Sequence, residues 1–390
     1  MVFIGPAGCR IPRVIRLATI AAAAYDSEVP LYARRWANAL PSPASTAATG
    51  PGVQSLRVVQ FNILADGLSA QDPNKGGFRD VPPGSLEWDY RRGLIVEEVF
   101  RHFAEPERPD VVAMEEVDHY EWMAAQMDAR GYDGTFLKKP NSPCRRSLDP
   151  SLEDGCALFW RRDVLRADEL QSMQYVHGLN GPTRGSNQVA ILAALRPHGA
   201  VSPILFAVTH LSAAKNAEGE KARAAQMGEL CAALRTSSER LRAAATVALL
   251  DMNASPYPSS CKTSGDAYAP AAYAVATTPA EGGLGDPLGG GVGGGGMSGG
   301  YGAEARPTTA LPFRSAYRAA LGVEPEWTTW KKREAELQLT IDYILISAAV
   351  TVQRVLLPPD AADVDPPRLP GWRYPSDHVM LAAEISVDCS

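Results

Sequence analysis

The chain has 390 residues, 38 Lys and Arg against 44 Asp and Glu, and a formal charge of −6. With 45% hydrophobic and 21% charged residues it has the composition of a globular protein, which excludes a fibrous or wholly disordered chain. A mildly acidic chain is also a poor candidate for coating long duplex nucleic acid through a broad basic face.

The first fifty residues carry Arg10, Arg13, Arg16, Arg34 and Arg35, no Lys, and only Asp26 and Glu28 as acids. Ala, Ser and Pro fill much of the rest. Arg-rich, acid-poor sequence of this kind has the make-up of an organellar transit segment, mitochondrial or chloroplast. The alternative is a plain disordered extension on a cytoplasmic protein. Residues 1–55 are assigned to this leader, and residues 56–388 to one catalytic domain.

Within that domain Arg57-Val-Val-Gln-Phe61 is a short β-rich run ending at Asn62. Residues 85–103 predict a helix, with Ser85 a candidate N-cap and Leu94, Ile95, Val99 and Phe103 near helical spacing. Strands are expected at 111–114, 156–160, 189–195, 204–208, 246–250, 341–346 and 379–385, and a long helix at 217–234. Many short strands with a few helices between them predict a layered α/β domain. Residues 282–302 are mostly Gly, cannot bury apolar area, and make 280–305 an expected disordered surface insertion. No run of 18 apolar residues occurs, so no membrane-spanning helix is expected. The six cysteines form no CxxC pair and predict reduced structural thiols.

Polar residues stand at the ends of the apolar strands. They are Asn62, the pair Glu115-Glu116, His210, Asp251-Met-Asn253, Asp342 and Asp377-His378. Each alone has a bland explanation: an Asp-x-Asn after a strand is commonly a turn. Recurrence at six sheet-end positions points instead to a site. Consecutive carboxylates on a regular strand face opposite ways, so only one of Glu115 and Glu116 is expected to enter it, with Glu115 facing away. Carboxylate and carboxamide oxygens suit a hard cation, Mg²⁺ or Mn²⁺, that neutralises phosphate oxygens and activates water. An Asp behind a His fixes its tautomer. This is equipment for phosphoester hydrolysis, and no Gly-x-Ser-x-Gly follows an apolar strand as a serine-hydrolase elbow would.

The order and wording of these segments resemble the endonuclease/exonuclease/phosphatase superfamily, and within it the nocturnin and deadenylase branch. The matching stretches include Val59-Gln-Phe-Asn-Ile-Leu-Ala65, Glu116-Val-Asp-His-Tyr120, Asp154-Gly-Cys-Ala-Leu-Phe159, Asn187-Gln-Val-Ala-Ile191, Val208-Thr-His-Leu211, Asp251-Met-Asn-Ala254, Thr328-Thr-Trp-Lys331, Thr340-Ile-Asp-Tyr-Ile344 and Tyr374-Pro-Ser-Asp-His378. The resemblance implies a two-sheet α/β sandwich with the site at one edge. It implies Glu116 as the main Mg²⁺ ligand, with Asn62 nearby and Asp377 close to the metal. Asp251 would activate the attacking water and Asn253 hold a phosphate oxygen or that water. Asn187, His210 and Lys139 would contact phosphate, and His378, oriented by Asp342, would stabilise the developing charge. The chain departs from the branch at Leu250, Met252 and Glu115, and after His210, where Lys215 alone could replace a basic phosphate contact. The implied activity is removal of the 2′-phosphate from NADP(H). The alternative is 3′-to-5′ poly(A) exonuclease action on an RNA 3′ end with the same metal site.

Overall fold

In the computed structural model the described residues are 2–3, 30–41, 50, 52–278 apart from 83, 105, 147–148, 150, 180–184 and 261–266, and 313–390. The Gly-rich stretch and Arg10, Arg13 and Arg16 lie outside them.

Two seven-stranded sheets face each other, which confirms the expected sandwich. The first runs from a short edge strand, Val2–Phe3, through Leu165–Gln174, Val189–Pro197, Ile204–His210, Ala245–Asp251 and Asp342–Ile346 to Arg314–Ser315. The second runs Trp36–Asn38, Val350–Leu356, Leu381–Asp388, Val53–Asn62, Val111–Val117, Gly155–Arg161 and Tyr132–Lys138. Side chains alternate along a strand, so each sheet has an inner and an outer face. Val58, Ala113, Phe206, Val208, Val247, Leu249, Ile344 and Ile346 fill the space between the sheets. Val59, Val112 and Met114 turn outward onto Leu94, Ile95 and Val99 of the helix Trp88–Phe100 and Met123 and Met127 of the helix Tyr120–Asp128. Ala207, Ala248 and Leu250 turn outward onto Met227, Leu230 and Cys231 of the helix Ala217–Leu241. Strands buried on both faces explain why the sequence shows apolar runs rather than alternation.

The expected boundary at residue 56 is overturned. Trp36–Asn38 pairs antiparallel with Val350–Leu356, and Leu31 and Tyr32 are buried in the outer core of the second sheet. Part of the leader-like composition belongs to this packed segment. Arg34, counted there as a transit-type charge, is fully buried in an ion pair with Glu98, 2.7 Å away.

Several expected elements have different ends. The first helix starts at Trp88, not Ser85, whose hydroxyl instead donates to the Pro82 carbonyl. The long helix runs seven residues further than expected, to Leu241, and stops where Arg242 turns left-handed. The last strand begins at Leu381; before it, the Val379 N–H donates to the Thr328 carbonyl. Leu165–Gln174 was missed because it is a polar, largely exposed strand with no apolar run to find. Cys144, Cys156, Cys231 and Cys389 are free and buried, as expected. No described helix is long and apolar enough to cross a membrane.

Candidate active site

Strand register assembles the site. His210, Asp251 and Asp342 stand side by side at the edge of the first sheet, where Asp251 pairs with His210 on one flank and with Asp342 on the other. Each continues the inward-facing series of its own strand. Opposite them Asn62 pairs with Glu115, both following inward-facing residues of the second sheet. The polar row therefore replaces the apolar core at the open end of the sandwich.

Glu115 and Glu116 correct the expectation that only one of them could enter. The pairing with Gly155–Arg161 slips between Met114 and Val117, and Glu116 sits in the left-handed region at φ 57°. This bulge turns both carboxylates to the same side. Glu115 is fully buried beneath the site, accepting from Gln60 Nε2 at 2.9 Å, and the same amide reaches Asp342 Oδ1 at 3.2 Å. Burial, then Asp342 and Asp251, push its carboxyl well above the ordinary range. Glu116 lies at the opening, its Oε2 accepting from the Ala65 N–H at 3.2 Å.

Three side chains link the rows. Asn62 Nδ2 donates to Asp251 Oδ2 at 3.0 Å and to Glu116 Oε1 at 3.3 Å. Its Oδ1 faces inward to the Leu64 N–H. Asp251 Oδ1 also accepts from the Asn253 N–H at 2.8 Å. Burial pushes the Asp251 carboxyl up, but His210, His378 and Lys215 outweigh it and hold the group below its ordinary value, ionised. Asn253 lies in the left-handed region at φ 55° and directs Nδ2 to His210 Nε2 at 2.8 Å. His210 Nδ1 is buried, has no partner among the described residues, and lies 3.9 Å from Glu116 Oε1. Burial and then Lys139 depress the His210 pKa, which keeps the ring neutral.

His378 Nδ1 meets Asp342 Oδ2 at 2.9 Å, and Thr328 Oγ1 donates to the same oxygen at 2.6 Å. Burial alone would lower the His378 pKa; Asp342 and Asp377 outweigh it and raise it to about 9. A raised imidazole contributes stability that is complete below its unfolded pKa of roughly 6.5 and lost as pH rises through about 9. Imidazole NMR of the EDTA-treated protein is expected to show this midpoint, and Asp342→Asn is expected to lower it. A midpoint unmoved by that substitution would contradict the pairing.

The other expected residues fall at the rim. Asp377 Oδ2 is 2.5 Å from Lys331 Nζ and 3.4 Å from Arg333 Nη2. Burial raises its pKa, but these cations more than reverse that. The structure thus brings Asp377 beside His378, Nε2 4.0 Å away, with its charge already matched. Lys139 Nζ pairs with Asp154 Oδ2 at 2.5 Å. Asn187 spends both amide atoms on the Asn141 backbone, at 2.7 and 2.8 Å, clamping the loop after Lys139 rather than pointing into the centre. Lys215 Nζ bonds Asn253 Oδ1 at 2.8 Å and its carbonyl at 3.0 Å. Gln60, Thr328 and Lys331 were given no role by sequence reasoning. The neighbouring motifs Val59–Ala65 and Thr328–Lys331 contained them without saying which way they face.

Asp251, Asp342 and His378 bring ligand atoms within 4.8 Å of one another. Asp342 and His378 already satisfy each other, and buried Asp251 accepts from Asn62 and Asn253, which leaves Glu116 at the opening as the carboxylate nearest to free space, with Asp251 behind it. Carboxylates of this kind fit a hard divalent ion that keeps several waters. Asn62, expected as a ligand, presents its amide nitrogen on that side, and Asp377 is engaged by Lys331. They flank the donor set and do not complete it.

A sandwich with this edge defines a class of metal-dependent phosphoesterases. The pattern of the "Endonuclease/Exonuclease/phosphatase family" matches residues 59–378, and the chain belongs to that family. Nocturnin from Xenopus laevis is 31% identical over 342 residues, covering 85% of this chain and 73% of that protein. Nocturnin from Homo sapiens is 30% identical over 337 residues, covering 85% of this chain and 65% of that protein. The fold matches the human Nocturnin catalytic domain with bound sulfate at a TM-score of 0.60 and 24% identity, over 91% of this chain and 97% of that one. The chain is a metal-dependent hydrolase of phosphoesters, similar to nocturnin.

Proposed function

We propose that the protein removes the 2′-phosphate of NADP(H), with Mg²⁺ as the ion and Mn²⁺ able to replace it. The observation that carries this is the setting of His210. There a buried Nδ1 without a partner faces Glu116, with Lys139 in its field. A terminal phosphate oxygen would supply the acceptor that Nδ1 lacks. Beyond Asn253 a cavity of about 660 Å³ opens, bordered by Lys215, Tyr257, Tyr268 and Leu339. That size suits a dinucleotide, whereas a run of several nucleotides calls for an extended aromatic and basic track. A divalent ion at Glu116 and Asp251 would neutralise phosphate oxygens and lower the pKa of a water. Asp251 is the ionised base for the attacking water, and the His378 imidazolium faces the charge that develops on phosphorus.

The full chain with Mg²⁺ and NADPH is expected to release inorganic phosphate, and to leave short oligo(A) uncut in a parallel reaction. Shortening of the RNA without phosphate release would replace this function with the 3′-to-5′ exonuclease. EDTA is expected to abolish turnover and added Mg²⁺ or Mn²⁺ to restore it. Glu116→Ala is expected to cost roughly 10²- to 10³-fold in kcat/KM. EDTA-resistant turnover would refute the metal's part.

A further inference from the structure

The hydrogen bonds of Lys215 run away from the opening and into the protein. Its Nζ meets Asn253 twice, at the side-chain Oδ1 and at the backbone carbonyl. An ammonium or amine group only donates to such oxygens, so the Asn253 amide is held with oxygen toward Lys215 and nitrogen toward His210. That nitrogen donates to the Leu211 carbonyl at 3.1 Å and meets His210 Nε2 at 2.8 Å. Two N–H groups cannot face each other at that distance, so Nε2 is the acceptor. A neutral ring accepting at Nε2 carries its proton on Nδ1. This is the buried nitrogen that has no partner and looks toward Glu116.

We propose that Lys215 is a positioning residue. It locks the amide of Asn253, and through it the tautomer of His210, so that an Nδ1–H donor faces the substrate phosphate. The proposal rests on the phosphoesterase function above and replaces the direct substrate contact expected of Lys215 from the sequence. The lock also holds the left-handed backbone of Asn253, because one amino group clamps both its carbonyl and its side chain. The loop that carries Lys215 has its own anchor. Buried Arg223 donates to the carbonyls of Ser212 and Ala214, and Gln226 accepts from the Ser212 N–H. Loss of the lysine amine therefore leaves the loop in place.

The test uses the full chain labelled with ¹⁵N at histidine, free of metal, with the His210 signals assigned by their loss in His210→Gln. The wild type is expected to show a protonated Nδ1 and an unprotonated Nε2. Lys215→Met is expected to lose this single tautomer, and Lys215→Arg, which keeps a donor, to retain most of it. In turnover assays Lys215→Met is expected to lower kcat roughly tenfold with KM changed less than about twofold. His210 signals unchanged in Lys215→Met, or a wild-type ring protonated on Nε2, would overturn the proposal. So would a rise in KM with kcat intact, which would mark a direct substrate contact. The tautomer is read without substrate, so a different substrate would overturn the proposed function and leave this result standing.

Discussion

Asp251→Asn is expected to lower kcat/KM by roughly 10³-fold, with an unchanged fold. The carboxylate lies within reach of His210 and His378, with Oδ2 at 3.5 and 3.8 Å. It also accepts from Asn62 and from the Asn253 N–H. The His378 imidazolium and these donors keep it ionised despite full burial. An amide of the same shape cannot take a proton from water and turns an NH₂ toward groups that also donate. It also removes one of the charges that hold up the His378 pKa. Single-turnover rates on the substrate, with circular dichroism as the control for folding, measure the effect. Activity within tenfold of the wild type would exclude Asp251 as the base.

The second large effect concerns stability. Arg34→Met is expected to destabilise the protein by roughly 3 kcal/mol, and a chain starting at residue 56 to destabilise it further. Arg34 donates to Glu98 Oε1, to the Leu357 carbonyl at 2.9 Å and to the Met380 carbonyl at 2.6 Å. Glu98 also accepts from Tyr374 at 3.0 Å and from Arg101 at 2.8 Å, and has His102 at 3.1 Å. Burial pushes the Glu98 carboxyl up, but His102 and Arg34 overcome this and bring it down to about 2. Removing Arg34 leaves a buried carboxylate without its nearest cation, the costly way to break such a pair. A melting temperature lowered by about 10 °C is the expected reading in a thermal melt. A loss under about 2 °C would show that Arg101 and His102 suffice. Met380 is two residues from His378, so the same variant is expected to reduce activity. Removal of any leader has to stop before Leu31 if the enzyme is to keep this brace.

The apolar runs at 111–114, 204–208 and 246–250 were legible because both faces of those strands are covered. The polar residues that end them marked the edge of the sandwich, and Asp251, Asp342, His210 and His378 do converge there. The partners of Glu115 and Glu116 were not legible. Alternation was the correct rule for a regular strand, and a single left-handed residue defeated it. Arg34 was misassigned because composition reports charge and not burial. Asn187 and Lys215 carry the residue types of phosphate contacts, but what their polar atoms face depends on Asn141 and Asn253, distant in sequence.

The shared inward parity of the strands has a consequence for quality control. A slip of one residue in the strand Ala245–Asp251 would expose Leu249 to the helix side and at the same time swing Asp251 out of the site. Core and active centre are therefore read off the same register. For the strand-borne groups, an error that spoils the chemistry also spoils the packing, so such a chain is visible to proteolysis as a folding failure. A point change that keeps the register, such as Asp251→Asn, silences the enzyme without this signature.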